Sequence, residues 1–139
     1  MTVDVATLEG LYAIAKGLCR MHWGVDYTGA IKLVNRDWKC KGAHYDPNVK
    51  EICMSRAKNK RMSRDMVIGC LTHELVHWRL HTTGQPYLDT DEEFVAECLR
   101  VGAPISRTGV AQKLYKRYKF KREFEERTGR KFNEEALCQ

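Results

Sequence analysis

The sequence predicts an α+β fold: an N-terminal helix, a three-stranded and mainly antiparallel sheet, then two further helices. Three observations predict it. Apolar residues recur at helical spacing in residues 5–22 and again in residues 64–83. Between these segments lie short apolar or alternating runs separated by Gly, Pro, Asn and Asp, the pattern of strands and turns. A capping signal and a new apolar face follow Gly84 and Pro86, which marks another helix.

Each element can be justified in order. Val5, Leu8, Leu11, Tyr12, Ala15, Leu18, Cys19 and His22 form one stripe, so residues 5–22 read as an amphipathic helix that Gly24 and Gly29 end. Ala30 to Asn35 reads as a short strand, followed by a basic connection from Arg36 to Gly42. Ala43-His44-Tyr45, the turn Asp46-Pro47-Asn48, and Glu51 to Ser55 read as a hairpin. Ser63 is the expected N-cap of a helix from Arg64 to about Thr83, with Met66, Val67, Cys70, Leu71, Leu75 and Trp78 as its buried stripe. Thr90 and Glu93 have capping-box spacing before Phe94, Val95, Cys98 and Leu99, and Gly102 and Pro104 close that helix. From Gly109 the chain is charged and reads as helical. Residues 1–104 are therefore expected to form the core, and residues 105–139 a basic, helical C-terminal tail.

Composition narrows the function. With 139 residues, 43% hydrophobic and 30% charged, the chain can bury a core as one domain and is not disordered by composition. No apolar run approaches the roughly 18–20 residues that span a bilayer, so no membrane role is expected. Asp4 and Glu9 stand where a secretory leader would be cationic. The six cysteines, Cys19, Cys40, Cys53, Cys70, Cys98 and Cys138, are dispersed without a C-x-x-C pair, which argues against a zinc ribbon or a disulfide framework. A cytoplasmic protein with buried thiols is the expectation.

Chemistry enters at His73-Glu74-Leu75-Val76-His77, inside the second predicted helix. Histidines four residues apart share one helix face and can bind one metal ion, while Glu74, about 100° around the helix, can serve a water beside it. Zinc is the expected cofactor, because it lowers the pKa of bound water toward roughly 7 and Glu74 can then act as general base. A third protein ligand is required. His81 is excluded, since positions 73, 77 and 81 climb about 12 Å along the helix. A third histidine ten positions after His73 is excluded too, because Thr83 stands there. The acidic run supplies the ligand: by spacing Asp89 and Glu93 fit equally and Glu97 less well. Some of these acids serve only the helix N-terminus.

The stretch HELVHWRLHTTGQPYLDTDEEFVAECLRVGAP resembles the core of SprT-like metalloproteases, the zincin-like family that includes the DNA-dependent protease Spartan. In shorter bacterial members the motif helix is followed by Gly, an aromatic residue, a third-ligand His, an acidic residue and Phe. Gly84, Tyr87, Asp89, Asp91 and Phe94 stand at matching intervals here. The resemblance covers roughly residues 5–104. It implies His73, His77 and Asp89 as zinc ligands and Glu74 as the general base of peptide hydrolysis, with protein as substrate. Asp89 departs from the family's histidine; a carboxylate can still bind zinc but leaves the site less positive. The family's paired-cysteine ribbon is not matched, since the tail holds only Cys138. The ImmA/IrrE peptidases share the look of HELVHWRLH, and their pattern would make Glu93 the alternative third ligand.

Charge adds a possible second partner. The net +6 is the sum of unlike segments: Arg107 to Arg122 holds seven basic residues and no acid, whereas Asp89 to Glu97 holds five acids and no base. Lys113, Lys116, Arg117, Lys119, Lys121 and Arg122, interleaved with Tyr115, Tyr118 and Phe120, suit a phosphate backbone with stacked bases. DNA, single-stranded or protein-bound, is the partner that this pattern and the resemblance point to. The competing expectation is a nucleic-acid-binding or inhibitor protein that keeps a degenerate, non-catalytic metal site.

Overall fold

Thr7 opens the first helix: its hydroxyl accepts from the Gly10 amide, and the chain then runs helically as α1 (Leu8–Trp23). Gly24 closes it at φ 66°, a left-handed position that costs glycine nothing. These elements belong to a computed structural model that describes residues 3–38 and 42–132. Cys40 and Cys138 lie outside the described residues, as does the end of the expected tail.

Three strands follow, β1 (Ala30–Val34), β2 (Ala43–Asp46) and β3 (Glu51–Ser55). β2 and β3 form the expected hairpin, with Tyr45 opposite Ile52. Asp46 accepts from the Asn48 amide, and Lys50 takes a positive φ of 53° in the turn. β1, however, runs parallel to β3, and the strand order is β1-β3-β2. The sheet is thus mixed, one parallel and one antiparallel pair, rather than mainly antiparallel. Burial accounts for the order: Ile52, Cys53, Met54 and Ser55 are all buried, so β3 takes the centre. β1, with Lys32 exposed, and β2 flank it.

A short helix, α2 (Arg56–Arg61), follows β3 directly, capped by Ser55. No apolar periodicity predicts it. Its residues are charged and show no apolar stripe; Asn59 anchors it by donating to the Val5 carbonyl at 2.9 Å. Ser63 then caps α3 (Arg64–Thr82), as its position before the apolar stripe predicts. α4 (Glu92–Val101) starts one residue later than the expected capping box. Asp91 is its N-cap, and the Asp91 carboxylate accepts from the Leu88 amide instead of capping the helix. The last helix is α5 (Gly109–Thr128), capped by Thr108.

α3 is the organising element because it is buried on two sides. Val67, Leu71, Leu75 and Trp78 pack with Leu11, Ala15 and Cys19 of α1 and with Ile31, Ile52 and Met54 of the sheet. Val76 and Leu80 face the other way, onto Phe94 and Cys98 of α4 and onto Ala103. Met66, expected in the stripe, is instead exposed. The motif residues therefore sit mid-helix between two cores, which fixes their backbone. No helix of the described residues is long and apolar enough to cross a membrane.

Candidate metal centre

α3 presents His73, Glu74 and His77 on the side where α4 and its preceding connection close over it. Glu74 and His77 are buried and His73 nearly so. One donor atom from each of the three lies within 4.8 Å of the others. Both imidazoles are held from behind by backbone. His73 Nδ1 donates to the Pro104 carbonyl at 2.6 Å, and His77 Nδ1 donates to the Tyr87 carbonyl. A carbonyl oxygen can only accept, so each Nδ1 carries the proton and each Nε2 is turned toward the centre. Phe94 fixes the ring planes: it stacks on His77 at 4.0 Å and 18°, and meets His73 edge-on at 5.0 Å.

Asp89 completes the arrangement from the connection between α3 and α4. Its Oδ1 lies 2.9 Å from His73 Nε2 and 3.2 Å from His77 Nε2. Donors bound tetrahedrally to zinc at about 2.0–2.1 Å stand about 3.3 Å apart, so these separations suit a shared cation. Two imidazole nitrogens and a carboxylate oxygen are also the donor types zinc takes. Glu74 belongs to the tight cluster as well, but it neighbours His73 on the helix, whereas Asp89 contacts both nitrogens. Asp89 Oδ1 is thus the carboxylate oxygen in contact with both imidazole nitrogens.

The electrostatics describe the same pairing in the ion-free protein. Burial opposes charge on His73, yet hydrogen bonds to Asp89 and Cys98, with Glu74 nearby, push its imidazole up to about 11. The two histidines in turn hold the Asp89 carboxyl well below the usual carboxylate range. Cys98 goes the other way, its thiol raised chiefly by burial.

The other expected site residues are placed elsewhere. Glu93 is exposed on α4 and lines an open groove toward α5 with Glu92, Glu97, Tyr118 and Arg122. Glu97 pairs with Arg100. Lys113, Lys116, Arg117, Lys119 and Arg122 are exposed on α5 and Lys121 is half-buried. They do not share one face: at about 100° per residue, Arg122 points roughly opposite to Lys113. Arg122 pairs with Glu126, and Tyr115 and Tyr118 are half-buried rather than presented to a ligand. The sequence did not reveal the Tyr87 and Pro104 carbonyls, because backbone groups carry no residue signature. Nor did it reveal the pairing of Tyr45 with His81, which joins a strand to a helix.

No family model matches the chain. It is similar to a SprT-like protein of Bacillus cereus (strain 03BB102), 29% identical over 72 residues. That match takes in 52% of this chain, and the chain spans about half of the relative's length, 47%. Among solved structures it is similar to the metallopeptidase zymogen abylysin of Pyrococcus abyssi, with TM-score 0.46 and 17% identity over 91% of this chain and all of that one. That likeness is distant.

Proposed function

We propose that this chain, which resembles SprT-like proteins and carries a His-Glu-His cluster with an aspartate beside it, is a zinc-dependent peptidase. The observation that carries the reading is the convergence of His73 Nε2, His77 Nε2 and Asp89 Oδ1, with Glu74 alongside. His73, His77 and Asp89 would hold the ion. Zinc would supply Lewis acidity there, lowering the pKa of bound water toward about 7 and polarising a peptide carbonyl.

The chain's own residues do the rest. Glu74 takes the proton from the attacking water and delivers it to the departing amine nitrogen. Its burial keeps bulk water from competing for that proton. The Tyr87 and Pro104 carbonyls fix the tautomers, and Phe94 fixes the ring planes, so the donors are organised before substrate arrives. Asp89 contributes a negative charge where a histidine would be neutral, which makes the site less positive and tempers its acidifying power.

Residues 1–104 are the proposed catalytic core, with residues 105–139 as the basic appendage. The exposed cations of α5 support protein bound to nucleic acid as the substrate class. Cys19 and Cys98 are buried and form no disulfide, which supports a reducing, cytoplasmic setting. One observation favours a second reading. The carboxylate in the third position and the basic helix also suit a nucleic-acid-binding protein whose metal site no longer hydrolyses. The two readings part at Glu74. Zinc-loaded wild type should cleave an unfolded protein substrate, with or without single-stranded DNA, and Glu74→Gln should retain zinc while losing that cleavage. Zinc-loaded wild type that cleaves nothing under either condition would leave the binding-protein reading standing.

A further inference from the structure

His81 follows His77 by one helical turn, too far along the axis to join the metal, and the catalytic reading leaves it unused. It is nonetheless held on two sides. Its Nδ1 lies 2.8 Å from the Tyr45 hydroxyl of the edge strand β2, with the two rings 5.7 Å apart at 64°. On another side the Tyr87 ring lies 4.6 Å away at 56°. Tyr87 belongs to the connection that carries Asp89. The same residue's carbonyl receives the proton of His77 Nδ1. Tyr87 is thus gripped twice, by side chain on His81 and by backbone on His77, two residues before Asp89.

The rest of the connection is mostly exposed. Thr82 to Pro86 and Leu88 are exposed, and Gly84 takes a left-handed φ of 74°. Its remaining fixed points are local: the Gln85 amide on the Leu80 carbonyl at 2.8 Å, and the Leu88 amide on Asp91 at 2.9 Å. The first fixes only where the connection leaves α3, and the second only its entry into α4. The middle, where Tyr87 and Asp89 meet the histidines, is set by the aromatic contacts together with the packing of Tyr87 on the cluster of Val76, Leu80 and Phe94. Burial keeps the Tyr45 phenol up at about 12, so at ordinary pH its hydroxyl stays protonated and joined to His81 Nδ1 by a hydrogen bond.

We propose that Tyr45, His81 and Tyr87 form a strut that holds the Asp89-bearing connection against α3, which makes Tyr45 and His81 positioning residues for the metal centre. The strut rests on the metal-site reading above. It makes the affinity of the centre depend on the edge strand, whose residues touch no ligand nitrogen. Removing the Tyr45 hydroxyl leaves the aromatic packing in place but frees the His81 ring to turn. Tyr87 then loses its tilted ring contact with His81 and Asp89 its fixed approach to the two nitrogens.

The test uses the full chain, with zinc and cobalt(II) as probes. Zinc affinity is measured by competition with a chromophoric chelator, cobalt(II) geometry by its visible d–d absorption, and stability by melting in EDTA. Tyr45→Phe and His81→Phe should each weaken zinc binding by about tenfold, as loss of outer-sphere support does. Their cobalt spectra should lose intensity while the EDTA melting temperature stays near wild type. His81→Gln, which still offers Tyr45 an acceptor, should recover most of the affinity. Unchanged affinity and cobalt spectra in Tyr45→Phe and His81→Phe would overturn the strut. So would losses of affinity that merely track the EDTA melting temperature. Wild type that binds neither ion would overturn the metal-site reading, and the strut with it, a result distinct from both.

Discussion

His73 and Asp89 attract each other in the ion-free protein, and the sign of that attraction makes a pH prediction. His73 is pushed up from its ordinary 6.5 to about 11, so its stabilisation is complete below 6.5 and fades as pH rises toward 11. Asp89 is depressed below its ordinary 3.8, so its share is lost only as pH falls beneath that value. In EDTA, melting temperature should therefore fall between pH 6.5 and pH 10, and Asp89→Asn should flatten that slope. Zinc should reverse the trend, because binding expels the His73 Nε2 proton and strengthens as pH rises. The histidines were legible in the sequence because i and i+4 on a helix must share a face. Which acid joins them was not legible from spacing, because a reversal between two helices decides which acid returns. By spacing Asp89 and Glu93 were equivalent; the fold brings Asp89 to the nitrogens and leaves Glu93 facing outward.

At the scale of elements, α3 carries both cores and the site, so its buried and exposed positions should respond differently. Leu71 is fully buried, and Leu71→Ala should cost about 2–5 kcal/mol in urea denaturation. Met66→Ala should cost under about 0.5 kcal/mol, since Met66 is exposed even though its spacing put it in the same stripe. Periodicity finds a face but not its edge, and Met66 lies at the edge. Caps were legible where one side chain does the work, as Ser63 does for α3. They misled where neighbours compete: Thr90 had the capping-box spacing, but Asp91 holds the position and bonds Leu88. α2 had no apolar stripe to betray it, and the parallel direction of β1 beside the central β3 is a matter of tertiary pairing that no local pattern states.

For the molecule as a whole, charge separates into an acidic side on α4 and a basic helix α5, which pack against each other. If α5 is the nucleic-acid surface, its outer face carries the contact. Charge reversal of Lys113, Lys116 and Arg117 together should reduce the slope of log affinity for single-stranded DNA against log salt by about 2. Arg122→Glu should change it little, because Arg122 turns to the opposite side and pairs with Glu126. An affinity indifferent to salt would remove DNA from the account. The most direct test of the central claim is anomalous diffraction at the zinc edge from crystals of the zinc-loaded protein. One peak bonded to His73 Nε2, His77 Nε2 and an Asp89 oxygen, with Glu74 beside it, is the result predicted. A peak in the Glu92–Glu93–Glu97 groove, or none at His73 and His77, would contradict it.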